Sequence, residues 1–452
     1  MPKSKFMGAA SALLSLLCAL SIQAQEPAET AKQAPQQSIE SLEEQSRKAF
    51  AEGNAENAYA VNLQLHERRP YNMEYMVNVV RAAGLQDLKT PAYEMMLTMQ
   101  RQGLSHDFNQ TDDTLAIRRT EVYQYINDLM VEAGKPAGEA SLVFKLPGAP
   151  ADYQAIAWDS SRGKFLVGTA KQGMVLAVAD DGTSEVLLQA NSANGMWSVN
   201  GLAVDPKRNR LWISSAASEK FDAFMPTDRN NGALFEFNLE TLELVEQYFL
   251  PIDAFPHELG TLALTDDGHV YVIDRALPVV YRKKPDGDRL EAFVGSQEFV
   301  AFSDVAAAPD NSRLFVVDRA KGVLVLDPVA EHAAMLGGPE NLNLGGIEGI
   351  EYVAGHLYIV QPGIQPQRLM RLELGGSGSA VESVAPMAVA ITEFDGPGIG
   401  TVRDEALYYF ANSNAEESPD GLLVMRTELD AGKTIVPPDV RKFNERVKKN
   451  KP

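Results

Sequence analysis

Asn200-Gly201-Leu202-Ala203-Val204-Asp205-Pro206, followed after a polar turn by Arg210-Leu211-Trp212-Ile213, reads as a small-residue strand, a tight turn and a bulky apolar strand. The bulky half recurs at Phe165-Leu166-Val167, Val270-Tyr271-Val272, Leu314-Phe315-Val316, Leu357-Tyr358-Ile359 and Leu407-Tyr408-Tyr409, its central residue advancing by 46, 59, 44, 43 and 50 positions. A repeat of roughly 40–50 residues built only of strands is the period of propeller blades. A second motif keeps phase with the first: Gly173-Met174-Val175-Leu176, Gly232-Ala233-Leu234-Phe235, Val279-Val280-Tyr281, Gly322-Val323-Leu324-Val325, Arg368-Leu369-Met370 and Gly421-Leu422-Leu423-Val424. Read as the third strand of each blade, it predicts an all-β six-bladed β-propeller over 141–430. Ser141-Leu142-Val143-Phe144-Lys145-Leu146 alternates like a strand before the first blade begins. It is expected to supply the outer edge of the last blade, because an unpaired edge invites aggregation.

Upstream, apolar residues change to helical spacing. Segments 43–50, 55–68, 73–83, 91–101 and 114–133 carry them at i, i+3, i+4, punctuated by Gly53, Pro70, Gly84, Gly103 and Gly134. Residues 38–134 therefore read as an N-terminal all-α helical repeat module. Ala58-Tyr59 maps onto Ala92-Tyr93, and Leu63 onto Leu97, at an offset of 34. With Gly53-Asn54-Ala55-Glu56-Asn57-Ala58 and Pro70, this resembles tetratricopeptide repeats. The resemblance implies stacked helix pairs with a concave surface for a protein or peptide partner. Tyr71, Tyr75 and Tyr93 either line that surface or pack between helices.

The two ends read differently. Lys3 and Lys5 precede an apolar run from Met7 to Leu20 and a small residue at Ala24. Residues 1–24 are expected to be a secretory signal cleaved after Ala24, which places the protein in the periplasm or outside the cell. Cys18, the single cysteine, lies within that leader behind Leu17, where lipoprotein processing wants a small residue. The remainder has no thiol for a disulfide, a nucleophile, a metal or a covalent haem. Residues 25–37 read as a disordered linker. No transmembrane segment is expected in the mature chain. The net charge of −20 argues against a nucleic-acid partner. The tail 431–452 is basic, from Arg441 to Lys451, and reads either as an electrostatic tether or as a solvated end.

In a propeller the residues ahead of each first strand face the channel mouth. These are Gln154, Asn200, Gly260, Ser303, Glu348 and Gly398, with Asp152, His257, Glu258 and Asp304 beside them. The second strands should end on the same face, bringing Asp274, Arg275, Asp318 and Arg319 to the rim. The repeated Asp-Arg reads as a structural ion pair. Carboxylates and amides around a channel suit a hard cation such as calcium, which takes six to eight oxygens and can act as a Lewis acid. The 214–231 insert is expected to overhang this mouth, with Phe221, Phe224 and Met225 as a lid.

The Asn200–Pro206 and Arg210–Ile213 segments resemble blades of the gluconolactonase/regucalcin family and, more loosely, NHL-type propellers. The resemblance implies a divalent metal held by Glu, Asn and Asp at the mouth, and lactone or ester hydrolysis. Asn200 matches the metal-binding Asn. Asp304 lies one position from the metal-binding Asp. Asp152-Tyr153-Gln154 stands where the Glu belongs, and Leu259-Gly260 replaces a second Asn-Gly. Glu258 or Glu348 would have to compensate, so the expected ligand set for Ca2+ or another divalent cation is Asn200, Glu258, Asp304 and Glu348. No His-Glu-x-x-His spacing or phosphate-cradling loop occurs, and nothing points to a quinone cofactor. Two readings stay open. One is an exported binding or scaffold protein, with a helical module for a protein partner and a propeller mouth for a ligand. The other is a divalent-metal-dependent lactonase or esterase.

Overall fold

The computed structural model describes residues 37–250, 255–296 and 298–432. The expected signal, most of the linker and all but the start of the basic tail lie outside the described residues. Helices come first and a six-bladed propeller follows.

Five helices, α1 (Ile39–Ala51), α2 (Ala55–Arg68), α3 (Met73–Leu85), α4 (Lys89–Arg101) and α5 (Glu121–Ala133), each pack on the next in the chain. Four begin at a side chain that accepts a first-turn N–H: Ser38 from Ser41, Asn54 from Asn57, Asn72 from Tyr75 and Thr120 from Tyr123. The small residues aligned at the 34-residue offset, Ala58 and Ala92, are both fully buried where helices meet. The fifth helix starts at Glu121 rather than at Thr114. Two 3-10 turns, Phe108–Gln110 and Asp112–Thr114, precede it. They wrap the Arg118 guanidinium, which donates to Phe108 O at 2.9 Å, to Thr114 Oγ1 at 3.0 Å and to Thr111 O.

Each blade is an antiparallel sheet running from the axis outward, four-stranded in five blades and five-stranded in blade 5. The inner strands are Tyr153–Asp159, Ser198–Asp205, Leu259–Leu264, Phe302–Ala307, Gly349–Val353 and Gly400–Arg403. Each packs on the next, and the sixth returns to the first. The bulky strands sit second in each sheet, where Leu166, Tyr271, Phe315 and Leu357 are wholly buried between blades. Many of the residues lining the channel are small (Ala155, Ala157, Gly201, Ala203, Ala263, Ala306 and Gly400), as suits six strands converging on one axis.

Closure uses the upstream strand. Ser141–Leu146 pairs antiparallel with Leu422–Glu428 as the outer strand of blade 6. Just before it, Ala137–Gly138 pairs with Val389 and Ala388 on blade 5, an edge contact the sequence pattern does not announce. Gly138 has φ +85°, and a Cβ there would lie 1.9 Å from Met387 O. Only glycine fits.

The helical module is not a free arm. The buried Arg368 of blade 5 (3% exposed) donates to Gln102 O at 2.8 Å and Gly103 O at 3.3 Å, at the end of α4, and to Gln361 Oε1 at 2.9 Å. The carbonyl end of the helix dipole takes the place of a counter-ion. Burial alone lowers the Arg368 pKa to about 10. Ser105 N donates to Gln365 O at 2.8 Å, Asn343 Nδ2 to Gln102 Oε1 at 2.8 Å, and Ile364 joins the helical core. The three tyrosines are spent on packing. Tyr71 lies against Gly322 and Gly345 of the propeller, Tyr75 bonds Glu43, and Tyr93 donates to Ile117 O at 2.6 Å.

Arg368→Met keeps the apolar stem and leaves buried carbonyls unpaired. It is expected to cost roughly 2–3 kcal/mol, read as a lower urea midpoint, and to open the segment after α5 to protease. An unchanged midpoint would show that the module docks without this contact.

Candidate functional site

Register shifts at the mouth end of four inner strands shape the site. They fall between Tyr153 and Ala155, Val199 and Gly201, Leu259 and Leu262, and Phe302 and Val305. A bulge leaves extra residues unpaired and re-aims their side chains. The residues so freed are Gln154, Asn200, Gly260-Thr261 and Ser303-Asp304.

Several of these side chains tie blade to blade. Asn200 Nδ2 donates to Leu259 O at 2.9 Å and Ser303 Oγ to Ile347 O at 3.0 Å. Asp304 accepts from Ile350 N and from Val305 N, both at 2.8 Å. Its one-residue offset is the bulge itself.

The repeated Asp-Arg is not an ion pair. Asp274 is wholly buried and accepts from the backbone N–H of Glu258 and Ala276 at 3.0 Å and of Leu277 at 3.2 Å. His257 Nδ1 lies 2.7 Å from it. Asp318 does the same for Val300, Ala320 and Lys321 at 2.7–3.0 Å. Each aspartate fixes the turn, and the turn aims the following arginine into the mouth. Arg319 Nη2 meets Glu348 Oε2 at 2.7 Å. Arg275 crosses the mouth from blade 3 to blade 1, where Nη1 donates to Gln154 Oε1 at 3.0 Å. Its stem passes over Gly260, where a Cβ would come within 2.7 Å of Nε. That passage explains the glycine without the expected Asn.

These residues surround a mouth cavity of about 400 Å³, lined also by Glu258, Ser413, Asn414 and Glu416. Lys220 reaches it from the insert. Phe221 is buried and anchors that loop against Gly173. Phe224 lies under Arg229, and Met225 faces solvent.

The expected cation ligands do not combine into a metal centre. Among the described residues no group of three or more His, Cys, Asp or Glu is placed to hold a metal ion. Asp304 accepts backbone N–H groups on both oxygens and Glu348 pairs with Arg319, while Asn200 uses its Nδ2 on Leu259 O. The Arg275 guanidinium lies among the charges of Glu258, Glu348 and Asp304. The site's positive charge is built in, and the donor set does not fit a divalent cation. Burial lowers the Arg275 pKa, opposed by the Glu258 and Glu348 charges, and burial raises that of Glu348.

Past the mouth, along the inner strands, lies a cavity of about 270 Å³ lined in part by Asp304, Thr261 and Glu351. Glu351 was not among the sequence candidates. It sits in blade 5 on a regular strand, and only its neighbours across the ring reveal it. Its side chain forms no hydrogen bond or ion pair with any described residue. Burial first, and the Asp304 charge second, push its carboxyl up to about 8. Burial pushes Asp304 up to about 6, against the Thr261 hydroxyl and the Ile350 and Val305 N–H groups.

No protein-family model matches the chain, and none of the curated proteins matches it. Solved structures of similar shape include the PQQ-bound aldose sugar dehydrogenase from Streptomyces coelicolor, with TM-score 0.44 and 14% identity over 65% of this chain and 99% of that one. A gluconolactonase from Xanthomonas campestris has TM-score 0.45 and 14% identity over 64% and 89%. A chain of a nidogen/laminin complex has TM-score 0.38 and 15% identity over 55% and 82%. At these values the likeness is to architecture, which the strand pairing establishes independently. No described helix is long and apolar enough to cross a membrane.

The raised Glu351 value has a stability consequence. The folded protein keeps a proton that the unfolded chain releases above the ordinary value of 4.5. Stability through this group therefore falls as pH rises from 4.5 to about 8 and is flat beyond. Glu351→Gln should remove the loss. Its melting temperature should match the parent near pH 4 and exceed it at pH 8, by about 2–4 °C for each kcal/mol regained. A difference that does not vary with pH would contradict the assignment.

Proposed function

We propose that the propeller mouth is the functional site of an exported protein and binds a small, polar, carboxylate-bearing molecule. The observation that carries this is Arg275. Its guanidinium spans the mouth and, among the described residues, bonds only the neutral Gln154 and makes no ion pair, although the Glu258, Glu348 and Asp304 charges act on it. A planar fork left without a carboxylate at the centre of a polar cavity suits a carboxylate ligand. Arg319 and Lys220 add positive charge at the rim, and Glu258, Ser413 and Asn414 offer partners for ligand hydroxyls.

In this reading Asn200 and Asp304 hold the mouth open by tying the blades, while Glu258 and Glu348 border the ligand. A protein partner meets the outer helical surface, since the inner tyrosines are occupied. Export to the periplasm or beyond belongs to the same proposal and rests on the leader sequence.

A second reading is hydrolysis of a lactone or ester. The observation favouring it is the Asp304–Glu351 pair. One carboxyl is held protonated at neutral pH and the other is nearer ionisation, which are the parts of a general acid–base pair. Turnover of a lactone panel that disappears in Asp304→Asn would support it. No turnover would leave binding alone.

Isothermal titration with acetate through hexanoate and with gluconate tests the main reading. At least one should bind, and Arg275→Gln should weaken that binding roughly ten- to a hundredfold. Equal affinity in the variant, or no binding by the parent, would overturn it.

A further inference from the structure

Carboxylates alone leave the channel unexplained. Beyond the mouth cavity lie two acids, one of which, Glu351, has no side-chain partner among the described residues. Thr261, 7% exposed, lines the same cavity, with its hydroxyl beside Asp304. The half-buried Glu351 carboxyl thus keeps its acceptor capacity for a ligand or water in the cavity. The two cavities adjoin at Ile399, which lines both. Around the mouth, Lys220, Arg275 and Arg319 balance Glu258, Glu348 and Glu416. A ligand with a negative charge only would unbalance that ring, and it would leave the channel acids as they are.

We propose that the ligand of the propeller is a zwitterion, an amino acid or a molecule of like charge pattern, whose carboxylate meets Arg275 at the mouth and whose ammonium enters the channel between Asp304 and Glu351. The inference rests on the mouth being a carboxylate site and adds the second half of the ligand. An ammonium has three donors, which Glu351, Asp304 and the Thr261 hydroxyl can accept. It also supplies the counter-charge that an unpaired carboxyl in a narrow, small-residue channel lacks. Neither end alone satisfies both cavities, so affinity should depend on the spacing between the two charges. Glu351 and Thr261 become positioning and specificity residues of a single elongated site.

The test is a titration series on the full chain. Glycine, 3-aminopropanoate, 4-aminobutanoate and 6-aminohexanoate are each compared with the plain acid of the same length. The expected result is one preferred length at which the amino acid binds at least tenfold tighter than its plain acid. Glu351→Gln should bring that amino acid down to the plain acid's level, with the variant's fold checked by its melting curve. Should plain acids bind and the amine add nothing at any length, the zwitterion inference fails while the carboxylate mouth stands. Should neither series bind, both fail. A preference that survives in Glu351→Gln would place the ammonium elsewhere and overturn the assignment.

Discussion

Residues 137–146 carry the constraint on which the rest depends. Within ten positions the chain adds an edge strand to blade 5 through Ala137–Gly138 and then the outer strand of blade 6 through Ser141–Leu146. A ring of six blades has one seam, and here the seam is sealed by chain that arrives directly from the helices. The module is therefore pinned where the ring closes, and Arg368 fixes its other end by capping α4. Closing the ring and docking the module are one event in this topology. Gly138 and Gly421 mark its tightest points, since a Cβ at either would strike a carbonyl at 1.9 Å.

The same ring makes the site. Six inner strands converge on one axis, and burial between them raises the pKa of the Asp304 and Glu351 carboxyls. Bulges then release selected residues from the ladder. Some bridge to the next blade, as Asn200 and Asp304 do. Arg275 spans further, and Gly260 gives it passage. A charge held this way is costly unless it is compensated, and the surrounding carboxylates compensate it at a distance without bonding it. Its capacity for a ligand comes from that incomplete pairing.

The gluconolactonase-like signature around Asn200 marks a position in the blade repeat. The residue keeps its place in the repeat, yet its amide serves the Leu259 carbonyl. The Asp-Arg repeat shows the converse. Its spacing of 44 is legible, but the pairing it appeals to does not form, because Asp274 and Asp318 each face two backbone N–H groups of their own turn and one from the segment ahead of the inner strand. Local N–H donors outcompete a side chain that must bend back to meet them.

The sequence by itself determined the blade count, the strand order within blades, the helical module and the closing strand. These follow from period, alternation and small-residue placement, which act between neighbours along the chain. It also brought Gln154, Glu258, Asp304, Arg275, Arg319 and Glu348 to the channel region, because position in the repeat maps directly onto position around the ring. Only the tertiary structure decided what those residues do. Whether Asp304 is a metal ligand or a blade tie depends on which N–H groups lie within 2.8 Å of it. Whether Arg275 pairs or reaches depends on the absence of a Cβ at Gly260. Glu351 matters because of Asp304, a residue from the neighbouring blade. Interactions across the ring join positions tens of residues apart, and no local pattern records them.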